Sequence, residues 1–284
     1  MPDRCNDSIQ HDYGMNIRMI DLHCHMLPGI DDGAPTLEVA LAMARCAAAD
    51  GITHVACTPH IYPGLYENDR DGIAAAIEAF RAVLVEEDIA LTLVIGADTH
   101  LTPDLLEGIR NRRIPTLNDT RYLLFEPPHH VAPPRLEESV FNLMAAGIVP
   151  VVTHPERLSW IDTHYEVFGR MVHAGALMQI TAGSVTGRFG RRPKYWAERM
   201  LDEGQVHLLA TDAHHIDKRP PLLAEARDAA AKRLGDAEAM HLVLTRPRGI
   251  LDNASPNELP ELPKGKMTAP KPASGLWKRL FANG

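Results

Sequence analysis

Cysteine is scarce in this sequence and never paired: Cys5, Cys24, Cys46 and Cys57 are scattered through 284 residues without a CxxC. That pattern argues against a zinc knuckle and a disulfide framework and leaves free thiols. No apolar run approaches the roughly 20 residues that a spanning helix needs. The opening MPDRCNDSIQHDYG has no apolar stretch ahead of a small-residue cleavage site, so it does not read as a secretory signal. A cytoplasmic location is the expectation by default. Basic residues are not in excess, with 29 Lys and Arg against 37 Asp and Glu and a net charge of −8. A general nucleic-acid binder needs a basic footprint for counterion release and is disfavoured. Aromatics make up only 5% of the chain, while the hydrophobic fraction of 45% and charged fraction of 23% are those of an ordinary globular protein. The length suits one large domain, with or without tails.

Short apolar runs alternate with longer helical patterns from Ile17 to Asp252, the rhythm of repeated βα units. Seven strands are predicted, at about Ile17–Leu22, Thr53–Thr58, Ala90–Ile95, Tyr122–Glu126, Val149–Thr153, Leu177–Thr181 and Val206–Thr211. Between them run Ala-rich amphipathic helices such as Thr36–Asp50, Asp71–Glu87, Leu136–Ala146 and Pro193–Glu203, with Gly51, Gly147, Gly175 and Gly204 placed to end helices. The expected organisation is a polar extension over residues 1–16, one domain over 17–252 and a flexible tail over 253–284, where Pro, Lys, Ser and Asn dominate. Within that tail, Leu276–Phe281 has the composition of a short basic amphipathic helix able to touch a membrane surface or a partner.

What the sequence has in quantity is histidine, 15 residues, several of them beside Asp, Pro or another His. The clusters fall where strands end: Asp21-Leu22-His23-Cys24-His25, then Asp31-Asp32-Gly33, Thr58-Pro59-His60, Gly96-Ala97-Asp98, Phe125-Glu126-Pro127, His154-Pro155-Glu156-Arg157 and Thr211-Asp212-Ala213-His214. Barrel-type folds build their sites from loops at the C-terminal ends of strands, so these clusters are expected to converge. In His23-x-His25 the strand period of two turns both imidazoles to one side and Cys24 to the other. Taken singly, each such His or carboxylate also suits a helix cap or an ordinary polar strand end. Taken together, they would crowd buried carboxylates that only cations relieve. A nitrogen and oxygen ligand set without thiolate suits Mn²⁺, Fe²⁺ or Zn²⁺, and more than one ion is expected.

These residues resemble the PHP (polymerase and histidinol phosphatase) superfamily, specifically the bacterial capsule and exopolysaccharide tyrosine-protein phosphatases. The passages that carry the resemblance are DLHCHMLPGIDDG, ACTPH, GADTHLTPDLL, RIPTLNDTRYLLFE, HPERL, TAGSVTGRFG, LLATDAHHIDKRPP and RPRGILDN, spanning about Met19 to Asp252. The resemblance implies an α/β fold, a distorted seven-stranded (β/α)7 PHP-type barrel, holding three divalent metal ions, Mn²⁺ first and Fe or Zn as alternatives. Carried over by position, His23, His25 and Asp212 correspond to ligands of the first ion, Glu126 and His154 of the second, and Asp32, His60 and His214 of the third. Asp98 takes the place of a residue bridging the first two, where the family ordinarily has Glu. His100, outside the family pattern, is expected at the surface, with a compensating role for the shorter Asp98 as the alternative. Arg157 and Arg219 correspond to phosphate-binding arginines, whose planar fork bonds two phosphate oxygens at once. Arg188 is a weaker candidate for the rim.

The other phosphotyrosine chemistry uses a Cys nucleophile six residues before an Arg. Here the sixth residues after Cys5, Cys24, Cys46 and Cys57 are His11, Ile30, Ile52 and Pro63, which excludes it. The activity implied by the resemblance is metal-dependent protein-tyrosine phosphatase. Its implied substrate is the phosphorylated tyrosine-rich tail of a membrane-bound bacterial tyrosine kinase that controls capsular or exopolysaccharide synthesis. Two alternatives stand beside it: a small-molecule phosphatase such as a histidinol-phosphatase, and a catalytically weak metal-binding regulatory subunit of polysaccharide export.

Overall fold

In the computed structural model, which describes residues 18–265, every residue of β1 (Met19–Cys24) is buried, the charged Asp21 and His23 included. A strand covered on both faces belongs to a parallel sheet packed between other layers. The strands that follow are β2 (Ile52–Cys57), β3 (His60–Ile61), β4 (Thr92–Ile95), β5 (Asp98–His100), β6 (Tyr122–Glu126), β7 (Val149–Thr153), β8 (Leu177–Thr181) and β9 (Leu208–Ala210). They form two sheets, β1-β2-β4 and β3-β5-β6-β7-β8-β9, and every pairing is parallel. The α/β character expected from the sequence is therefore present, but the described residues form nine strands where seven were predicted.

The difference has a local cause. Two of the predicted strands break at Thr58-Pro59 and Gly96-Ala97 and resume in the other sheet as β3 and β5. Pro59 has no N–H to give to a ladder. At Gly96 an added Cβ would lie 2.9 Å from Thr58 Cγ2 and 3.0 Å from Leu117 Cδ2, so the two breaks pack directly on each other. At the opposite end of the strand order, Asp212 N donates to His23 O at 2.8 Å and His25 N to Ala213 O at 2.8 Å. Asp21 accepts from Thr211 N at 3.0 Å and from the Thr211 hydroxyl. The segment after β9 is thereby tied to the end of β1.

Side chains alternate along the strands with the period of two. Ile20, Leu22, Ala56, Leu124, Val151, Leu177, Leu208 and Ala210 pack in one cluster, closed off by Ile250, Leu251 and Leu259. Leu123, Phe125, Val152, Met178, Ile180 and Leu209 face a second, larger cluster shared with the helices. The helices lie where the apolar periodicity put them, at Leu37–Ala49, Arg70–Glu86, Leu136–Ala145 and Arg191–Asp202 among others. The first starts at Thr36, whose hydroxyl caps Val39 N at 3.4 Å.

Residues 253–265, the first part of the stretch expected to form a tail, lie against the domain. Tyr122 donates its hydroxyl to Ala254 O at 2.8 Å, and the fully buried Arg246 donates to Pro260 O and Glu261 O. The expected N-terminal extension over 1–16 and the basic amphipathic segment Leu276–Phe281 fall outside the described residues. No helix among the described residues is long and apolar enough to cross a membrane.

Candidate metal centre

All nine residues expected as ligands come together at the C-terminal ends of the strands. Their donor atoms form three overlapping groups: His23, His25 and Asp98; Asp98, Glu126 and His154; and His25, Asp32, His60 and His214. A further grouping joins His23, His154 and Asp212. Asp98 thus sits between the first two groups, and His25 and His60 carry the set toward the third.

The first pair shows how each ring is aimed. His23 Nδ1 lies 2.9 Å from Gln179 Oε1, and His25 Nδ1 lies 2.7 Å from Asp31 Oδ2. An amide oxygen and a carboxylate only accept, so each Nδ1 carries the hydrogen and each Nε2 keeps its lone pair for the centre. Those two Nε2 atoms are 3.1 Å apart, with Asp98 Oδ2 and Asp212 Oδ1 at 3.4 and 3.3 Å from His23 Nε2. Two lone pairs at that separation share only a proton or a cation. Burial alone would hold the His25 imidazole neutral, but Asp31 and Asp212 outweigh it and raise its pKa to about 10, so without an ion a proton takes the place.

The rest of the donor set fits a metal for the same reason. Both oxygens of Asp98, Oε2 of Glu126, and Nδ1 of His60 and of His154 are buried without a hydrogen-bond partner. Orphaned acceptors of this kind are costly unless something binds them. Burial, then Arg157, pushes the His154 pKa well below the ordinary imidazole value and keeps the ring neutral, as a ligand must be. His154 and Asp212 have φ of 34° and 50°, left-handed conformations that non-glycine residues adopt rarely. Each follows its strand directly or within two residues, and the strained turn swings its side chain back over the strand ends.

The centre is graded from dry to open. His23 and Asp98 are fully buried, whereas the Asp32 side chain is 49% exposed. At this open end Tyr62 stacks on His100 with centroids 3.9 Å apart, and Tyr66 stacks on His60 at 5.6 Å. Gly33 makes the outer loop fit: a Cβ there would lie 2.1 Å from His25 O, so any side chain would displace the backbone of His25.

Arg157 and Arg219 converge on the same oxygen of Asp212, Oδ2. Burial of Asp212 opposes its ionisation, but Arg219, His23 and Arg157 together hold it well below the usual carboxylate range. Arg219 Nε is buried without a partner, which leaves one N–H of its fork for a ligand. Arg157 also lies over the ring of Phe189, 5.1 Å from its centroid. Arg188 is elsewhere, within 3.5 Å of Glu225.

Two contributors escaped the sequence reading, and a third, His100, had been given a compensating role only as the alternative to a surface position. Asp31 and Gln179 orient His25 and His23, and neither was singled out for that role. His100 was expected at the surface, but its side chain is only 15% exposed and its Nε2 contacts Glu126 Oε2. The signal for His100 was its position two residues after Asp98 on the same strand. For Asp31 it was the acidic doublet, and Gln179 gave no signal.

Fold and site together define a class: parallel α/β proteins that carry a cluster of His and carboxylate groups able to hold metal at their strand ends, with arginines beside it. Within it, this chain belongs to the family described as Capsular polysaccharide synthesis, CpsB/CapC, whose sequence model matches residues 19–252. It is 34% identical over 217 residues to the tyrosine-protein phosphatase YwqE of Bacillus subtilis, covering 76% of this chain and 85% of that protein. It is 31% identical to the tyrosine-protein phosphatase CpsB of Streptococcus pneumoniae over 238 residues, 82% of this chain and 98% of that one. Its structure superposes with a TM-score of 0.82 and 31% identity on one solved in a study of YwqE and CpsB, which describes them as unique metal-dependent tyrosine phosphatases. That match covers 88% of this chain and all of the other. A phosphotriesterase homology protein of Escherichia coli, at a TM-score of 0.52 and 10% identity, is alike in fold alone.

Proposed function

We propose that this chain is a metal-dependent protein-tyrosine phosphatase acting in the cytoplasm on a bacterial tyrosine kinase of capsular or exopolysaccharide synthesis. The observation that carries the reading is the convergence of Arg157 and Arg219 on Asp212, at the edge of a donor set whose buried atoms lack partners. Two guanidinium groups held side by side form a receptor for a tetrahedral dianion. They meet it next to the groups that would hold the ions.

In this reading His23, His25 and Asp212 hold one ion, Glu126 and His154 a second, Asp32, His60 and His214 a third, and Asp98 bridges the first two. Mn²⁺ suits these ligands, and Fe²⁺ or Zn²⁺ fits the same donors. Bound there, the ions would polarise the phosphoryl oxygens and activate water at neutral pH. The chain's own residues do the remainder. Gln179 and Asp31 orient the imidazoles, Asp212 fixes both guanidinium groups, and Arg219 Nε–H is free to donate to a phosphate oxygen.

Tyr62 and Tyr66 flank the open end, where an aryl phosphate on an extended chain has access. A kinase tail is the substrate that this family's role in capsule synthesis favours. Tyrosine phosphorylation draws on ATP, which supports the cytoplasmic side for enzyme and substrate. We read the two sheets as halves of a distorted seven-stranded barrel, with β2–β3 and β4–β5 as broken staves. The backbone bonds between residues 23–25 and 212–213 support closure, and residues 17–252 are taken as the domain.

The test is hydrolysis of a phosphotyrosine peptide and of histidinol phosphate by the purified chain, before and after chelation and after adding back Mn²⁺. Peptide turnover that chelator abolishes and Mn²⁺ restores is expected. Full activity in excess chelator overturns the reading. Preference for histidinol phosphate moves the substrate to a small molecule.

A further inference from the structure

His100 lies outside the ligand set assigned above, yet it is placed as a ligand would be. Its Nε2 contacts Glu126 Oε2, an atom without a hydrogen-bond partner in a side chain 92% withdrawn from solvent. His60 Nδ1, also buried and unpartnered, lies 3.6 Å from the same oxygen. The donor atoms of His60, His100 and Glu126 all fall within 4.8 Å of one another, the spread of groups that share an ion. Glu126 Oε2 and His60 Nδ1, both buried and without a hydrogen bond to each other, are placed to share a third body.

The neighbouring residue supplies the reason. Asp98 stands on the same short strand, two residues earlier, and faces both His23 and His60, with its Oδ2 3.4 Å from His23 Nε2 and 3.5 Å from His60 Nδ1. A carboxylate one methylene longer would reach further into the cluster. His100 projects from the next position on the same side of the strand. Its ring is held by the Tyr62 stack, 3.9 Å between centroids and 14° from parallel. An imidazole fixed in that way loses little freedom when it binds an ion.

We propose that His100 Nε2 is a further metal ligand of this chain, binding together with Glu126 the divalent ion that the short Asp98 side chain leaves under-coordinated. The site takes a borderline cation such as Mn²⁺ or Zn²⁺, bound by imidazole and carboxylate. It rests on the metal-dependent reading above.

The experiment compares the wild-type chain with His100→Phe, Asp98→Glu and the double variant. Phe keeps a ring against Tyr62 but offers no nitrogen. Each protein is stripped and reloaded with Mn²⁺ or Zn²⁺. Stoichiometry is measured by elemental analysis and affinity by competition with a chromogenic chelator, and circular dichroism verifies folding. His100→Phe should lose one ion per chain or weaken one binding step by at least about tenfold, in the range for lost metal-site groups. Asp98→Glu in the His100→Phe background should restore the ion. If His100→Phe binds as many ions as tightly as the wild type, His100 is only an ion-pair partner of Glu126 and the proposal falls. If the wild type itself takes up no divalent ion, the metal-dependent reading falls with it, so the two failures are distinct.

Discussion

Asp31 does for His25 what Gln179 does for His23, and it does more besides: its carboxylate also accepts Gly33 N at 2.9 Å and His60 N at 3.1 Å. One side chain therefore sets the tautomer of a candidate ligand and fixes the loop that carries Asp32. Asp31→Asn keeps the volume but removes the charge that makes His25 a strong donor. Metal affinity is expected to fall about 10–100-fold, the usual effect of losing a group behind a ligand. Chelator competition measures it, and an unchanged affinity would remove Asp31 from this role. The candidate ligands were legible because all but Asp32 lie at or just beyond the end of a predicted strand, where side-chain direction follows from the period of two. Those that hold the ligands were not. Gln179 sits mid-sequence in an apolar strand, and its partner is 156 positions away, so only the folded sheet brings the two together.

At the scale of elements, the helices and most strands follow from periodicity, while the breaks in β2–β3 and β4–β5 do not. A strand that shifts from one sheet to another keeps its apolar alternation on both sides of the break, so the pattern runs on unchanged. Pro59 and Gly96 were the only marks. The junction of β8 with β9 makes a prediction of its own. His207, just ahead of β9, accepts Met178 N at its Nδ1 at 3.1 Å and donates its own backbone N–H to Met178 O at 3.0 Å. Burial, and then the nearby Arg246 charge, lower its pKa from 6.5 to about 3. The unfolded chain therefore binds a proton over that interval that the folded chain refuses. The contribution is complete above pH 6.5 and is lost as the pH falls toward about 3. Urea unfolding across this window should show declining stability on acidification. His207→Asn, which keeps an acceptor for Met178 N but cannot protonate, should reduce that slope, and an identical slope in the variant would rule His207 out as its source.

For the molecule as a whole, the sequence placed the domain end near Asp252, where the apolar rhythm stops, and the family match ends at the same residue. The packing continues past it. Arg246 is fully withdrawn from solvent and forms a double bond pattern with Glu238, at 2.7 and 3.1 Å, while Pro260 O and Glu261 O accept from its Nε and Nη2 at 2.9 and 2.7 Å. A buried guanidinium with five donors needs that many acceptors, and a carboxylate alone cannot supply them. The acceptors from 260–261 were illegible because they are backbone carbonyls in a Pro-rich stretch whose composition reads as unstructured. Leu259 from the same stretch closes the inner apolar cluster beside Ile250 and Leu251. Ending the chain after Asp252 should therefore destabilise it, even though every residue of the candidate metal centre is retained. It leaves two donors of Arg246 unpaired, at about 1–3 kcal/mol for each buried group so exposed, and uncovers Leu251. A lowered denaturation midpoint at unchanged metal stoichiometry is the expected result. A midpoint equal to that of the full chain would show that Glu238 and water satisfy Arg246 without the segment over 253–265.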